Sequence, residues 1–96
     1  MAKYELTIYD DNNEVIKTAE TDVVKFSTLI KVMELNEKLS EMSYLEQMKE
    51  ITAVVASAFP NLSVNDVENA DKDDVINTFR QINRISDGIN KGSKNA

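Results

Sequence analysis

Residues 3–20 read KYELTIYDDNNEVIKTAE, and this stretch decides the fold class because it predicts a β-hairpin ahead of helical sequence. Its first part alternates Tyr4, Leu6 and Ile8 with more polar neighbours. Alternation at period two is typical of a strand with one buried face. The Asp and Asn residues at 10–13 predict the turn, because their side chains bond nearby backbone groups and Asn tolerates a positive φ.

The second strand of the hairpin is expected over Glu14–Glu20. A four-residue loop places Ile8 opposite Val15 and Tyr4 opposite Ala19. Since an isolated hairpin is marginally stable in water, we expect it to pack on helices or to pair with another chain. The outer edge of the first strand is then either open for another subunit or simply hydrated.

The first helix is predicted by the helical spacing of apolar residues over Phe26–Ser40. Ser27 or Thr28 is the expected N-cap. The stripe expected to face the core, with its less regular members last, is Phe26, Leu29, Ile30, Met33, Val32, Leu35 and Leu39.

The second helix begins with Ser43-Tyr44-Leu45-Glu46, which fits a capping box with Ser at the N-cap and Glu at N3. Phe59-Pro60 ends this helix, because a residue before proline avoids the α region. Its expected apolar stripe is Leu45, Met48, Ile51, Val54 or Val55, and Ala58.

A third, short helix is predicted by Ser63 at the N-cap and Asp66 at N3, with Leu62 and Val67 in the hydrophobic-staple positions. We expect it to end near Asn69.

The fourth helix is expected to start at Asp71, with Asp73 and Asp74 in the first turn, where the helix dipole favours anions. Gly88 is a candidate interruption or C-cap. The apolar stripe of this helix is Val75, Ile76, Phe79, Ile82, Ile85 and Ile89.

Together the elements predict a single α+β domain over residues 1–89. It has an N-terminal β-hairpin followed by three main α-helices and one short helix, and it is mostly helical. Residues 90–96 have no apolar residue other than the final Ala, so we expect a disordered C-terminal tail.

The composition excludes several classes of site. The 96-residue chain has 17 acidic and 11 basic residues, a net charge of −6, and no His, Cys or Trp. Zinc fingers, thiol nucleophiles and Ser–His–Asp triads are therefore excluded.

The excess of acidic over basic residues disfavours nucleic acid as a partner. No apolar run approaches a membrane span and Met1–Glu5 lacks the apolar core of a signal peptide, so we expect a cytoplasmic protein.

The acidic segments do not predict a metal or catalytic site. Asp10–Glu14 and Asp71–Val75 carry oxygen ligands but lack the glycine of a calcium loop. The adjacent Asp73 and Asp74 point about 100° apart on a helix, so their carboxylates do not converge. Because turn and capping chemistry explains these residues, we expect no catalytic residue, metal ligand or cofactor, and no enzyme.

The methionines and phenylalanines leave two interpretations open. They either fill an ordinary small core or line an adaptable groove for a partner, and part of one stripe can serve both purposes. The residues that we expect to bind a partner are Tyr4, Leu6, Ile8, Phe26, Leu29, Met33 and Met48.

Three stretches carry a family resemblance, which covers the chain to about Gly88. They are Tyr4–Asp11 with Val15–Thr18, then Glu20–Phe26, and finally Phe59–Leu62 through Ala70–Ile82. Together they resemble the tail assembly chaperones of long-tailed phages and prophages of Gram-positive bacteria.

The resemblance implies a non-enzymatic role in the host bacterial cytoplasm. Such chaperones coat the helical tape-measure protein, help recruit tail-tube protein, self-associate into homo-oligomers and are absent from the mature virion. In this family a programmed frameshift often yields a longer product, and the codons for Lys94-Asn95 are compatible with a slippery sequence. The acidic balance also fits a second class, a small inhibitor or antidote protein that masks a basic site on another macromolecule.

Overall fold

A computed structural model of the chain describes the backbone of residues 3–94 and the side-chain environment of residues 3–85. Its elements confirm the predicted hairpin-then-helices architecture of a small α+β fold. They are β1 (Tyr4–Tyr9), β2 (Val15–Thr21), α1 (Phe26–Lys38), α2 (Tyr44–Ala58), α3 (Val64–Glu68) and α4 (Lys72–Lys94), with a short 3-10 turn at Leu39–Glu41.

The turn between β1 and β2 is built by the side chain of Asp10. Its Oδ1 accepts hydrogen bonds from the backbone N–H of Asn12 at 2.8 Å and of Glu14 at 3.0 Å. Asn13 takes the left-handed conformation, with φ of 63°, which Asn tolerates better than most residues. The turn chemistry predicted for this segment is therefore confirmed.

The predicted register of the hairpin, in which Ile8 faces Val15 and Tyr4 faces Ala19, is wrong by two residues. The observed pairs are Tyr4–Thr21, Leu6–Ala19, Ile8–Lys17 and Tyr9–Val15. The shift has two causes. The turn takes five residues, 10–14, and a β-bulge leaves one residue of β2 without an opposite partner.

Two of the predicted helix caps are confirmed. Ser63 and Asp66 form a complete capping box, in which each side chain accepts a hydrogen bond from the backbone N–H of the other residue at 3.1 Å. Ser43 Oγ accepts from the backbone N–H of Glu46 at 3.2 Å and donates to Glu46 Oε1 at 3.0 Å. Both helices therefore begin where their local sequences require.

The start of α1 differs from the prediction. Lys25 is its N-cap residue and supplies no side-chain cap, so Ser27 and Thr28 are not caps. Thr28 is instead buried, and its hydroxyl donates to the Ser57 carbonyl at 3.5 Å. This contact joins the start of α1 to the end of α2, so the two helices run antiparallel.

The core lies between one face of the hairpin and the helices. The buried apolar residues are Leu6, Ile8, Leu29, Val32, Leu35, Val54, Val55, Ala56, Ala58, Phe59, Val67 and Ile82. Phe26 and Ile30 of the predicted α1 stripe, and Leu45 of the predicted α2 stripe, are exposed instead. Those expectations were wrong because more apolar residues lie along each helix than its core-facing side holds.

The helix α4 continues past Gly88 to Lys94, so the backbone shows no interruption there. The disordered tail expected at residues 90–96 stays a prediction. Residues 95–96 and the side chain of Ile89 lie outside the described residues, and the domain boundary at residue 89 stays a prediction. Within the described part of the chain, none of the helices is both long and apolar enough to cross a membrane.

Candidate functional site

One side of α1 exposes apolar side chains to solvent. Phe26 is 67% exposed and Ile30 is 42% exposed, and the half-buried Met33 follows one turn later. Spacings of four and three residues place these side chains next to one another on one side of the helix. We call Phe26, Ile30 and Met33 the α1 strip.

The segment that leads into α1 extends the apolar surface. Val23 is 63% exposed. The hydroxyl of Thr21 accepts a hydrogen bond from the Val23 N–H at 3.2 Å and donates to the Val23 carbonyl at 3.0 Å. These contacts fix the backbone of Val23 just before the strip, so the apolar surface begins ahead of the helix.

The contacts of α1 explain why the strip faces solvent. On one side, Thr28 contacts α2 through Ser57. On another, Asn36 Nδ2 donates to Asn83 Oδ1 of α4 at 2.9 Å. Both contacts lie on the side of α1 that faces the core, where Val32 is 0% exposed. The α1 strip lies outside both contacts.

A second exposed apolar group lies at the start of α2. Tyr44 is 76% exposed and Leu45 is 63% exposed, while Met48 is half-buried one turn later. Because α1 and α2 are antiparallel, this group lies at the far end of the helix pair from Phe26. The 13 residues of α1 separate the two groups by about 20 Å.

Between α1 and α2 there is a shallow groove of about 300 Å³. Its floor is apolar and its rim carries charges of both signs. The lining residues are Lys31, Glu34, Leu35, Lys38, Met42, Glu50, Ala53 and Val54.

The two edges of the sheet differ. On β1, the backbone N–H of Tyr9 donates to the carbonyl of Asn69 at 3.0 Å, and Ile8 forms an isolated bridge with Ala70. The α3–α4 connection therefore covers one end of the β1 edge, which the sequence left as a candidate open edge. The outer side of β2 has no such contact among the described residues.

Acidic groups from two distant segments meet near this covered edge. An open cavity of about 600 Å³ is lined by Asp10 and Asp11 of the hairpin turn and by Asp71 at the start of α4. Asp71 Oδ2 caps α4 by accepting from the backbone N–H of Asp73 at 3.0 Å. Among the described residues, no group of three or more His, Cys, Asp or Glu side chains has the arrangement of a metal site.

The structure divides the seven predicted partner-binding residues into two groups. Leu6, Ile8 and Leu29 are at most 5% exposed, so they are core residues and offer no surface to a partner in this conformation. Tyr4, Phe26, Met33 and Met48 all keep exposed area. Their role as binding residues stays a prediction.

Several exposed apolar residues are not among the seven predicted from the sequence to bind a partner. They are Val15, Ile16, Val23, Ile30, Tyr44 and Leu45. Phe26, Ile30 and Met33 are spaced by four and three residues, which is the spacing of an apolar helical row separate from the buried one. That spacing was the available signal for the α1 strip.

No protein-family model matches this chain, and searches of curated proteins and of solved structures find no match either.

Proposed function

We propose that this protein is a tail assembly chaperone of a long-tailed phage or prophage, acting in the host bacterial cytoplasm and absent from the mature virion. In this role it coats the tape-measure protein, assists tail-tube assembly and self-associates, without catalysis. The observation that carries the proposal is the α1 strip, an apolar helical surface that the fold leaves in contact with solvent.

The strip has the form expected of a surface that holds a helical client. An amphipathic client presents apolar side chains at helical spacing, and such stripes pack against matching rows on another helix. The strip has only three side chains, so each contact with a client is weak and reversible. Many copies along one client supply avidity, and the net charge of −6 favours the solubility of the complex.

The test is co-expression with the tape-measure protein encoded downstream of this chain. We expect the native chain to increase the soluble fraction of that protein, and the double variant Phe26→Ser, Ile30→Ser to lose most of this effect. A matched control, Lys31→Ser with Glu34→Ser, changes two exposed charged residues of α1 and should retain it.

Two outcomes contradict the proposal. One is a tape-measure protein whose soluble fraction does not respond to the native chain. The other is a strip variant that folds, as judged by circular dichroism, and still solubilises its client as well as the control does. Size measurement over a range of concentrations tests the proposed self-association separately.

The convergence of Asp10, Asp11 and Asp71 favours a second candidate, an acidic inhibitor that masks a basic site. Its binding would weaken steeply with salt and would tolerate the strip variant. Since Asp10 and Asp71 also form the turn and the cap, the informative change is Asp11→Lys. It should disable an inhibitor and leave chaperone activity unchanged.

A further inference from the structure

The outer edge of β2 offers backbone groups to another strand. In an antiparallel ladder, successive residues direct their N–H and C=O groups alternately toward and away from the partner strand. Tyr9 directs its N–H away from β2, to Asn69. Following the observed pairing from there, Thr18 and Glu20 direct their backbone groups away from β1.

These outward groups have no partner within the described residues. No backbone group of residues 15–21 forms a backbone hydrogen bond beyond the ladder with β1. The bulge lies at the beginning of β2 and leaves Lys17–Thr21 in regular register. A regular segment of this length is enough to template a further strand.

Beside the open edge, β2 also exposes apolar side chains. Val15 is 59% exposed and Ile16 is 58% exposed, and both lie at the start of the same strand. An added strand would therefore form hydrogen bonds with the backbone of Thr18 and Glu20. It would also make apolar contacts near the start of β2.

The charges of the edge select the kind of partner. Glu14 and Glu20 are exposed, whereas the positive charge of Lys17 is paired with Asp66 at 2.8 Å. The unpaired charge beside the edge is therefore negative. A second copy of β2 would add like charges, which destabilise cross-strand pairs when they lie opposite each other.

We infer that the edge of β2 binds an extended segment of another protein in which basic and apolar residues alternate. The bound segment adds a third strand to the sheet. Its basic side chains lie on the face of the sheet that carries Glu20, and an apolar side chain packs on Ile16. This site is separate from the α1 strip, so it stands whether or not the protein is a tail assembly chaperone.

The test uses the full chain and two capped decapeptides as probes. One alternates lysine with valine and threonine, and the other has glutamate in place of every lysine. Amide hydrogen exchange is followed by NMR. We expect the basic probe at saturation to slow exchange at Thr18 and Glu20 by about tenfold or more, and the acidic probe to have no effect.

Two kinds of variant separate the backbone contribution from the charge contribution. Thr18→Pro removes one outward N–H, which an edge strand tolerates when that group faces solvent, and it should abolish binding of the basic probe. Thr18→Val keeps the N–H and should bind as the native chain does. Glu20→Lys should weaken binding of the basic probe by about two- to fivefold. If Thr18→Pro fails to fold, this charge-reversal variant still decides the question.

Several results would overturn the inference. They are equal binding of the two probes, undiminished binding to the charge-reversal variant, and protection at the acidic start of α4 instead of at β2. Protection of Thr18 and Glu20 that rises with protein concentration alone would identify a second copy as the occupant and exclude the basic partner.

Discussion

At the scale of single residues, the carboxylate of Asp66 joins the hairpin to the helices. Its Oδ2 accepts from Lys17 Nζ of β2 at 2.8 Å and from the backbone N–H of Ser63 at 3.1 Å. The hydrogen bond from Lys17, followed by the one from Ser63, holds the pKa of Asp66 below its usual value of 3.8. Both contacts favour the charged form of the carboxyl group.

The lowered pKa of Asp66 predicts a pH-dependent contribution to stability. Because the folded-state pKa lies below the unfolded one, this contribution is fully present above pH 3.8 and is lost as the pH falls through the folded-state pKa. Asp66→Asn keeps an oxygen for the Ser63 N–H but loses the ion pair. We expect its melting temperature to lie below that of the native chain at pH 7.

The control for this prediction is the same comparison at low pH. The two melting curves should converge once the pH has fallen below the folded-state pKa of Asp66, because the native carboxyl group is then also protonated. Lys17→Met should reduce the difference between the two chains at pH 7. A difference that is independent of pH would show that Asp66 acts through its cap alone.

In α1, the spacing of apolar residues is not enough to locate the exposed strip. Periodicity places Phe26 and Ile30 on an apolar stripe, but it does not decide which of two overlapping stripes meets the core. In the fold Val32 faces inward, on the side of α1 where Thr28 contacts α2 and Asn36 contacts α4. Both contacts are between residues distant in sequence, so local spacing does not reveal them.

At the scale of elements, the capping residues of the helices provide a matched pair for mutation. Ser63→Ala removes the hydroxyl that accepts from the Asp66 N–H at 3.1 Å. It should lower the free energy of unfolding by about 1 kcal/mol. Ser27→Ala, at the expected cap that α1 does not use, should change it by less than about 0.5 kcal/mol. Urea denaturation measures both.

The prediction for Ser63 fails if the two serine variants have the same stability. Such a result would mean that α3, which has five residues, is held by its packing through Val67 without help from the cap. A large loss for Ser27→Ala would contradict the observed start of α1.

The ends of helices and strands could be predicted where the residues that form them are close together in the sequence. The Asp10 turn and the caps at Ser43 and Ser63 involve residues within four positions of one another, and all three appear in the structure. The register could not be predicted in the same way, because loop length alone does not reveal the bulge beside Ile8. The hydrogen bond between Asn69 and the end of β1 also joins residues distant in sequence, so local patterns do not predict it.

At the scale of the whole molecule, the chain forms a thin body with extents of 49 × 35 × 19 Å. One set of buried side chains holds the hairpin on the helices, and Leu6 and Ile8 of β1 belong to the same core as Val32 of α1 and Ile82 of α4. A two-stranded sheet has little stability alone. We therefore expect the hairpin and the helices to unfold together.

Leu6→Ala tests this cooperativity. Leu6 is 1% exposed, and its truncation should cost about 2–4 kcal/mol in the free energy of unfolding, a large fraction of the stability of a small domain. Ile16→Ala in the same hairpin removes a side chain that is 58% exposed and should cost less than about 1 kcal/mol in the free energy of unfolding.

In Leu6→Ala, the slowest amides of β1 and of the first half of α4 should exchange faster by the same factor, because both are exposed by the same global opening. Faster exchange confined to β1 and β2 would instead show that the hairpin opens on its own. The helices would then form the stable unit of the protein. The open edge of β2 would belong to a hairpin that opens while the helices stay folded.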